Sequence, residues 1–180
     1  MGHKNAFVLK LMLGAALMLA VGLLIASTRP VEAPAPVALT PQDEILIYQA
    51  VIQSISPPNS SGPSYILRTT DDRAAQPPPH TDVANALILS TATQAGISAA
   101  LDNIIWVDSR DNVPSDPANL RVVQGGVMIT LGNISVQQEH QAKTSAAYFA
   151  GPTWGGGYLY TLNWANGVWS ISSALVNWIS

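Results

Sequence analysis

Two short clusters hold most of the residues in this chain whose types and spacing suit acid–base or ligand chemistry. They are Asp71-Asp72-Arg73 and Asp108-Ser109-Arg110-Asp111-Asn112, with Asp116 a little further on. Each follows a run of strand character, Tyr65–Thr70 in the first case and Ile104–Val107 in the second. Carboxylates beside an arginine can hold a cation, or bind and polarise a small ligand. Were the two strands neighbours running the same way, both clusters would meet at one rim of a sheet. Asp72, Asp108, Arg110 and Asp111 are the ligand-binding candidates on that reading, with no catalytic residue singled out among them. The plainer reading makes the same residues strand exits and turns, with surface Asp–Arg pairs worth under about 1 kcal/mol. Asp108-x-x-Asp111 has neither the alternating oxygen ligands nor the glycine of a calcium loop, so no metal site is expected there.

Other chemistry is excluded more firmly. The chain has no cysteine, which rules out disulfides, thiolate nucleophiles and cysteine-based metal centres. His3, His80 and His140 are far apart, and the latter two sit in polar loop sequence. There is no G-x-S-x-G elbow, no P-loop, no H-E-x-x-H, and no G-x-G-x-x-G after a strand. Nothing calls for a cofactor. The formal net charge of −3 gives no basic field for nucleic acid. Asn59-Ser60-Ser61 and Asn133-Ile134-Ser135 match the short glycosylation sequon.

The C-terminal part is unusual for what it lacks. No residue from Thr144 to Ser180 is charged, and widening the window to Val122 adds only Glu139 and Lys143. The same stretch holds Tyr148, Phe149, Trp154, Tyr158, Tyr160, Trp164, Trp169 and Trp178. Sheets that face water usually alternate apolar with polar residues and carry charge on their edges. Three explanations stay open: the aromatics are core, the charge-free sheet meets a protein partner or a second copy, or it stacks on sugar rings of an envelope glycan. Gly151 to Gly157 reads as a hairpin connection with Trp154 at its tip, which makes Trp154 a further binding candidate.

The elements that must position these residues follow from pattern. Thr40-Pro41-Gln42-Asp43 opens a helix with a cap, an N1 proline and first-turn acid, and Ile45, Tyr48, Val51 or Ile52, and Ile55 give it one buried face. Pro57-Pro58 ends it. A second helix is expected from Thr81-Asp82 to about Leu101, with Ala84, Leu87, Ile88 or Thr91, Ala95 and Leu101 on its inner side and Gly96 tolerated for close packing. Strands follow at Ile104–Val107, Arg121–Val136, Ala142–Ala150, Gly157–Trp164 and Val168–Ile179, the last two joined by a type I′ turn at Asn166-Gly167. The expectation is an α+β domain, two helices packed on a curved antiparallel sheet of about five to six strands.

Tyr158-x-Tyr160-x-Leu162 followed by Asn166-Gly167-x-Trp169-x-Ile171 resembles the final hairpin of nuclear-transport-factor-two-like cone domains. The resemblance implies an apolar pocket between helix and sheet. It therefore implies a small-molecule enzyme, isomerase or hydrolase-like, with an Asp/Arg pocket built from Asp72, Asp108 and Arg110. In layout the chain is also similar to membrane-anchored bacterial proteins, a likeness that implies no activity.

That layout comes from the N-terminus. Ala6 to Ser27 is apolar except for Lys10, and 22 residues at 1.5 Å each cross a hydrocarbon core of about 30 Å. The segment reads as a single-pass signal anchor, residues 1–27, in contact with the bilayer through 6–27. A cleaved signal peptide is the alternative. It is disfavoured because the small residues Ala33 and Ala35 are each followed by proline. Lys4 and Lys10 on its leading side place the N-terminus in the cytoplasm and the rest outside the cell membrane. Residues 28–40 form a Pro/Ala-rich stalk, and residues 41–180 an extracytoplasmic domain. The expected role is a membrane-anchored binding or assembly domain, with a cone-type enzyme and an envelope glycan-binding module as alternatives.

Overall fold

Thr40 and Asp43 begin the folded region with a reciprocal cap. Thr40 Oγ1 accepts from the Asp43 N–H at 3.2 Å, and Asp43 Oδ2 accepts from the Thr40 N–H at 3.0 Å and its hydroxyl at 2.6 Å. Helix α1, Pro41–Ile55, grows from this capping box and buries Ile47, Tyr48, Val51, Ile52 and Ile55; of the expected face Ile45 is only half-buried, and Ile47 is buried in addition. The computed structural model describes residues 38–56, 61–77 and 83–180. The expected anchor 1–27, most of the stalk, Asn59, His80 and the Thr81-Asp82 helix start lie outside the described residues. Among the described residues no helix is long and apolar enough to cross a membrane. The chain divides into two units, Met1–Ala35 and Pro36–Ser180, and all described residues belong to the second.

Among the described residues seven strands form one sheet: β1 (Ser64–Leu67), β2 (Ile104–Val107), β3 (Val127–Leu131), β4 (Ser135–Gln138), β5 (Gln141–Gly151), β6 (Trp154–Ala165) and β7 (Val168–Ile179). Their order is β2-β1-β3-β5-β6-β7, with β4 pairing β5. Both β1–β2 and β1–β3 are parallel; the remaining pairs are antiparallel. The sheet is therefore mixed, which corrects the expectation of a purely antiparallel one. Hairpin turns join β5, β6 and β7, whereas β1, β2 and β3 are separated by long crossings that permit parallel pairing.

Helix α2 spans Thr91–Ala100, so the expected helix from residue 81 is too long at its front. Ser90 supplies the cap, its hydroxyl accepting from the Thr93 N–H at 3.0 Å. Residues 83–90 instead run beside the exit of β1, bonded through Thr70 N–H to Leu87 C=O and Leu89 N–H to Arg68 C=O, both at 2.9 Å. Leu87 and Ile88, assigned to an inner helical face by spacing, are exposed. Gly96 does allow close packing: a Cβ there would fall 2.5 Å from Ile45 Cδ1 on α1.

The expected long strand Arg121–Val136 is broken twice. Gln124 at φ +57° and Gly125 at φ +67° turn the chain before β3, and residues 132–134 separate β3 from β4. The Asn166-Gly167 turn has φ of +54° and +83°, the left-handed pair a type I′ turn needs. The expected glycine-rich connection 151–157 is mostly strand. The chain reverses at Pro152-Thr153, and Gly155 to Gly157 belong to β6. Gly157 is required by close approach, since a Cβ would lie 2.0 Å from Trp178 Nε1.

Strand alternation gives the sheet two different faces. Val127, Ile129, Leu131, Ala142, Ala146, Tyr160, Leu162 and Trp169 pack with α1 into the main core. Tyr65, Leu67, Val107, Val113 and Val122 form a second cluster with Met128 and Phe149 on the opposite face.

Candidate functional site

Because β1 and β2 pair in parallel, the two carboxylate loops do leave the same end of neighbouring strands. Asp71, Asp72, Asn112 and Asp116 there are committed to holding loops. Asp71 is 1% exposed, and its Oδ1 accepts from the backbone N–H of Arg73 at 2.9 Å and of Ala84 at 3.1 Å. Arg73 Nε lies 3.9 Å from the same oxygen. Asp72 Oδ2 accepts from Asn85 Nδ2 at 2.8 Å, and Asp116 accepts from the Ala118 N–H at 2.9 Å and Asn119 Nδ2 at 2.7 Å. Asp108 forms an ion pair with Arg68 at 2.8 Å across the two strands.

Arg110 and Asp111 stand exposed in a single 3₁₀ turn, Arg110–Asn112. Asn112 Oδ1 closes it, accepting from the Ser109 N–H at 3.1 Å and hydroxyl at 2.9 Å. Thr70 continues the lock on the β1 side. Its hydroxyl accepts from the Leu87 N–H at 3.0 Å and bonds Asn133 Oδ1, while Asn133 Nδ2 donates to the Asn85 carbonyl at 2.8 Å. The sequon asparagine is thus occupied in holding loop 83–89. His140 is exposed, as its loop sequence implies. No group of three or more potential metal ligands occurs among the described residues.

Two recesses flank this rim, and they divide the candidates between them. A cavity of about 350 Å³ lies over the face opposite α1, walled by Val113, Val122, Met128, Phe149 and Trp178, with Arg110 among its lining residues. A more polar recess of about 360 Å³ is lined by Asp72, Asn133, Lys143, Thr161 and Ser173. Asp72 and Arg110 do not share a recess, and Asp108 lines neither of the two. The apolar walls escaped the sequence reading. Their signal was present in the period-two alternation of β3 and in the isolated Val113, Leu120 and Val122 of an otherwise polar segment.

The aromatic tail divides as well. Tyr160 and Trp169 are buried in the main core, and Tyr148, Tyr158 and Tyr160 stack in a ladder with ring centroids 6.4 and 6.1 Å apart. Burial pushes the Tyr160 phenol up to about 12, and it raises Tyr48, whose hydroxyl donates to the Gly132 carbonyl at 3.0 Å, further still. Trp169 Nε1 donates to Asp43 Oδ1 at 2.9 Å. The Thr40 hydroxyl first, and then this indole, hold the Asp43 carboxyl below its ordinary value.

Trp154 opens β6 with an exposed ring. Strand β7 ends the strand order, so one of its sides has no neighbour within the sheet. It exposes Val168, Leu175, Val176 and Ile179, with Leu175 at 62% and Ile179 at 68%. Comparison of the chain with protein-family models, with curated proteins and with solved structures gives no match.

Proposed function

We propose that this chain is a membrane-anchored extracytoplasmic assembly domain that meets another protein, or a second copy of itself, through β7. The observation that carries this reading is the exposed apolar edge. Strand β7 has 12 residues, no charge and no proline, and presents Leu175, Val176 and Ile179 to solvent. Soluble sheets ordinarily blunt such an edge with lysine, proline or a covering element, because it is a ready template for strand pairing. Anchoring is supported by the uncharged run Leu11–Ser27 and by Lys4 and Lys10 before and at its start.

A photo-crosslinking amino acid at position 175 of the full chain, activated in intact membranes, tests the assembly. The expected result is a discrete protein adduct that disappears on Ile179→Lys while the thermal midpoint stays within a few degrees. Absence of any protein adduct in the folded wild type overturns it. Protease added outside intact cells should degrade the domain, and replacing both Lys4 and Lys10 with glutamate should protect a fraction of it.

A second reading rests on Trp154. Its exposed ring beside Pro152 and Thr153 suits stacking on a sugar face, so this module would bind envelope glycan. Retention on purified peptidoglycan that Trp154→Ala abolishes would favour this reading over protein assembly.

A further inference from the structure

We infer that the cavity over the face opposite α1 is a binding site for a small apolar molecule carrying one anionic group, such as an aromatic or aliphatic carboxylate. Its volume of about 350 Å³ falls within the range of small-ligand pockets, from about 300 Å³ upward. The walls are large and apolar: Met128 from β3, Phe149 from β5, Trp178 from β7, and Val113 and Val122 from the segment after β2. Four separate stretches of chain therefore converge on one hollow, and the strand residues there alternate with those that fill the core under α1.

Charge complementarity fixes the ligand class. Arg110 lines the cavity and makes no ion pair among the described residues, whereas Arg68 is paired with Asp108 and Arg73 lies beside Asp71. No carboxylate is among the cavity's lining residues. A guanidinium beside an apolar hollow, in a chain of net charge −3, recognises a carboxylate by two parallel hydrogen bonds while the apolar body enters the cavity. Thr130 and Ser115 add hydroxyls to the wall. The site takes one wall residue, Trp178, from β7, but small-ligand binding there does not depend on the protein contact proposed for the exposed residues of that strand.

Equilibrium dialysis of the full chain with naphthalene acetate and with its uncharged amide, naphthalene acetamide, tests the assignment. The carboxylate should bind saturably at one site per chain, and more tightly than the amide. Arg110→Gln should weaken the carboxylate about tenfold and leave the amide unchanged. Ala147→Leu, which fills the cavity from β5, should abolish binding of both. Ser115→Trp obstructs it from an exposed position and should do the same, so misfolding of the first variant alone does not decide the matter. The proposal is overturned if the wild type binds neither probe saturably. It is equally overturned if Arg110→Gln leaves the preference for the carboxylate intact, or if both probes still bind a folded Ser115→Trp chain.

Discussion

The two halves of the sheet use charge in opposite ways. In the parallel half, β2-β1-β3, the strand exits carry aspartate, arginine and asparagine, and Asp71, Asp72, Asp116 and Asn133 are bound to loop groups. In the antiparallel half the chain from Thr144 onward has no charge at all, and its outermost strand turns apolar side chains to water. Residues that look like chemistry thus do structural work, and residues that look like core are left open for contact. Crossover loops explain the first part. A parallel pair needs a long connection, whose backbone N–H groups lack ladder partners, and the Asp71 and Asp116 carboxylates satisfy some of them. Hairpins explain the second, because tight turns at Pro152-Thr153 and Asn166-Gly167 need no such help.

The sharpest way to break this contrast is Asp71→Ala. Removing a buried acceptor of two backbone N–H groups leaves both unsatisfied and deprives Arg73 of its neighbour, so the loss should be about 3 kcal/mol. Urea unfolding should show a lower midpoint with an unchanged slope. Asp71→Asn keeps one acceptor oxygen and should lose less. A wild-type midpoint for Asp71→Ala would mean that the carboxylate is not holding the loop and is available for chemistry.

One carboxylate ties helix α1 to the antiparallel half, and it gives the pH-dependent test. Asp43 caps α1 and accepts from Trp169 on β7. Asp43→Ala removes the N3 half of the capping box and the Trp169 contact and should cost about 1 kcal/mol near neutral pH. The folded state lowers this carboxyl below its ordinary 3.8, so the fold favours the ionised form. Its contribution is therefore complete above that value, and it declines as pH falls through it toward the lowered folded value. Urea midpoints of wild type and variant should converge below pH 3.8. A gap that widens in acid would reverse the sign and exclude the hydrogen-bonded carboxylate as its cause.

The same division decides how much was legible in the sequence. Helix α1, the Asn166-Gly167 turn and the pairing of β6 with β7 were readable because each rests on local rules: a cap, a φ-restricted turn, a period of two. The meeting of the two acidic loops at one rim was readable as a condition, and β1–β2 pairing met it. The parallel order was not readable, because it depends on which distant strands find each other. The second helix was overextended because Leu87 and Ile88 carry helical spacing, yet Thr70 and Asn133 bind that segment as loop. The cavity was invisible for a related reason. Its walls are single apolar residues scattered from Val113 to Trp178, and only tertiary contact gathers them.

The smallest effect in this contrast is also informative. Asp108 and Arg68 make the best ion pair of the rim at 2.8 Å, yet their side chains are 76% and 42% exposed. Exposed pairs gain little Coulomb energy in water and lose side-chain entropy, so Asp108→Ala should change stability by under about 0.5 kcal/mol. Raising the salt concentration should shrink even that difference. Asp71 and Asp108 leave adjacent parallel strands, and burial of the first is what separates a loss of about 3 kcal/mol from one near zero. A loss at Asp108 as large as that at Asp71 would mean the ion pair is shielded from solvent in the native protein. Something would then cover the rim, and the contact proposed at β7 would have a counterpart on the parallel half.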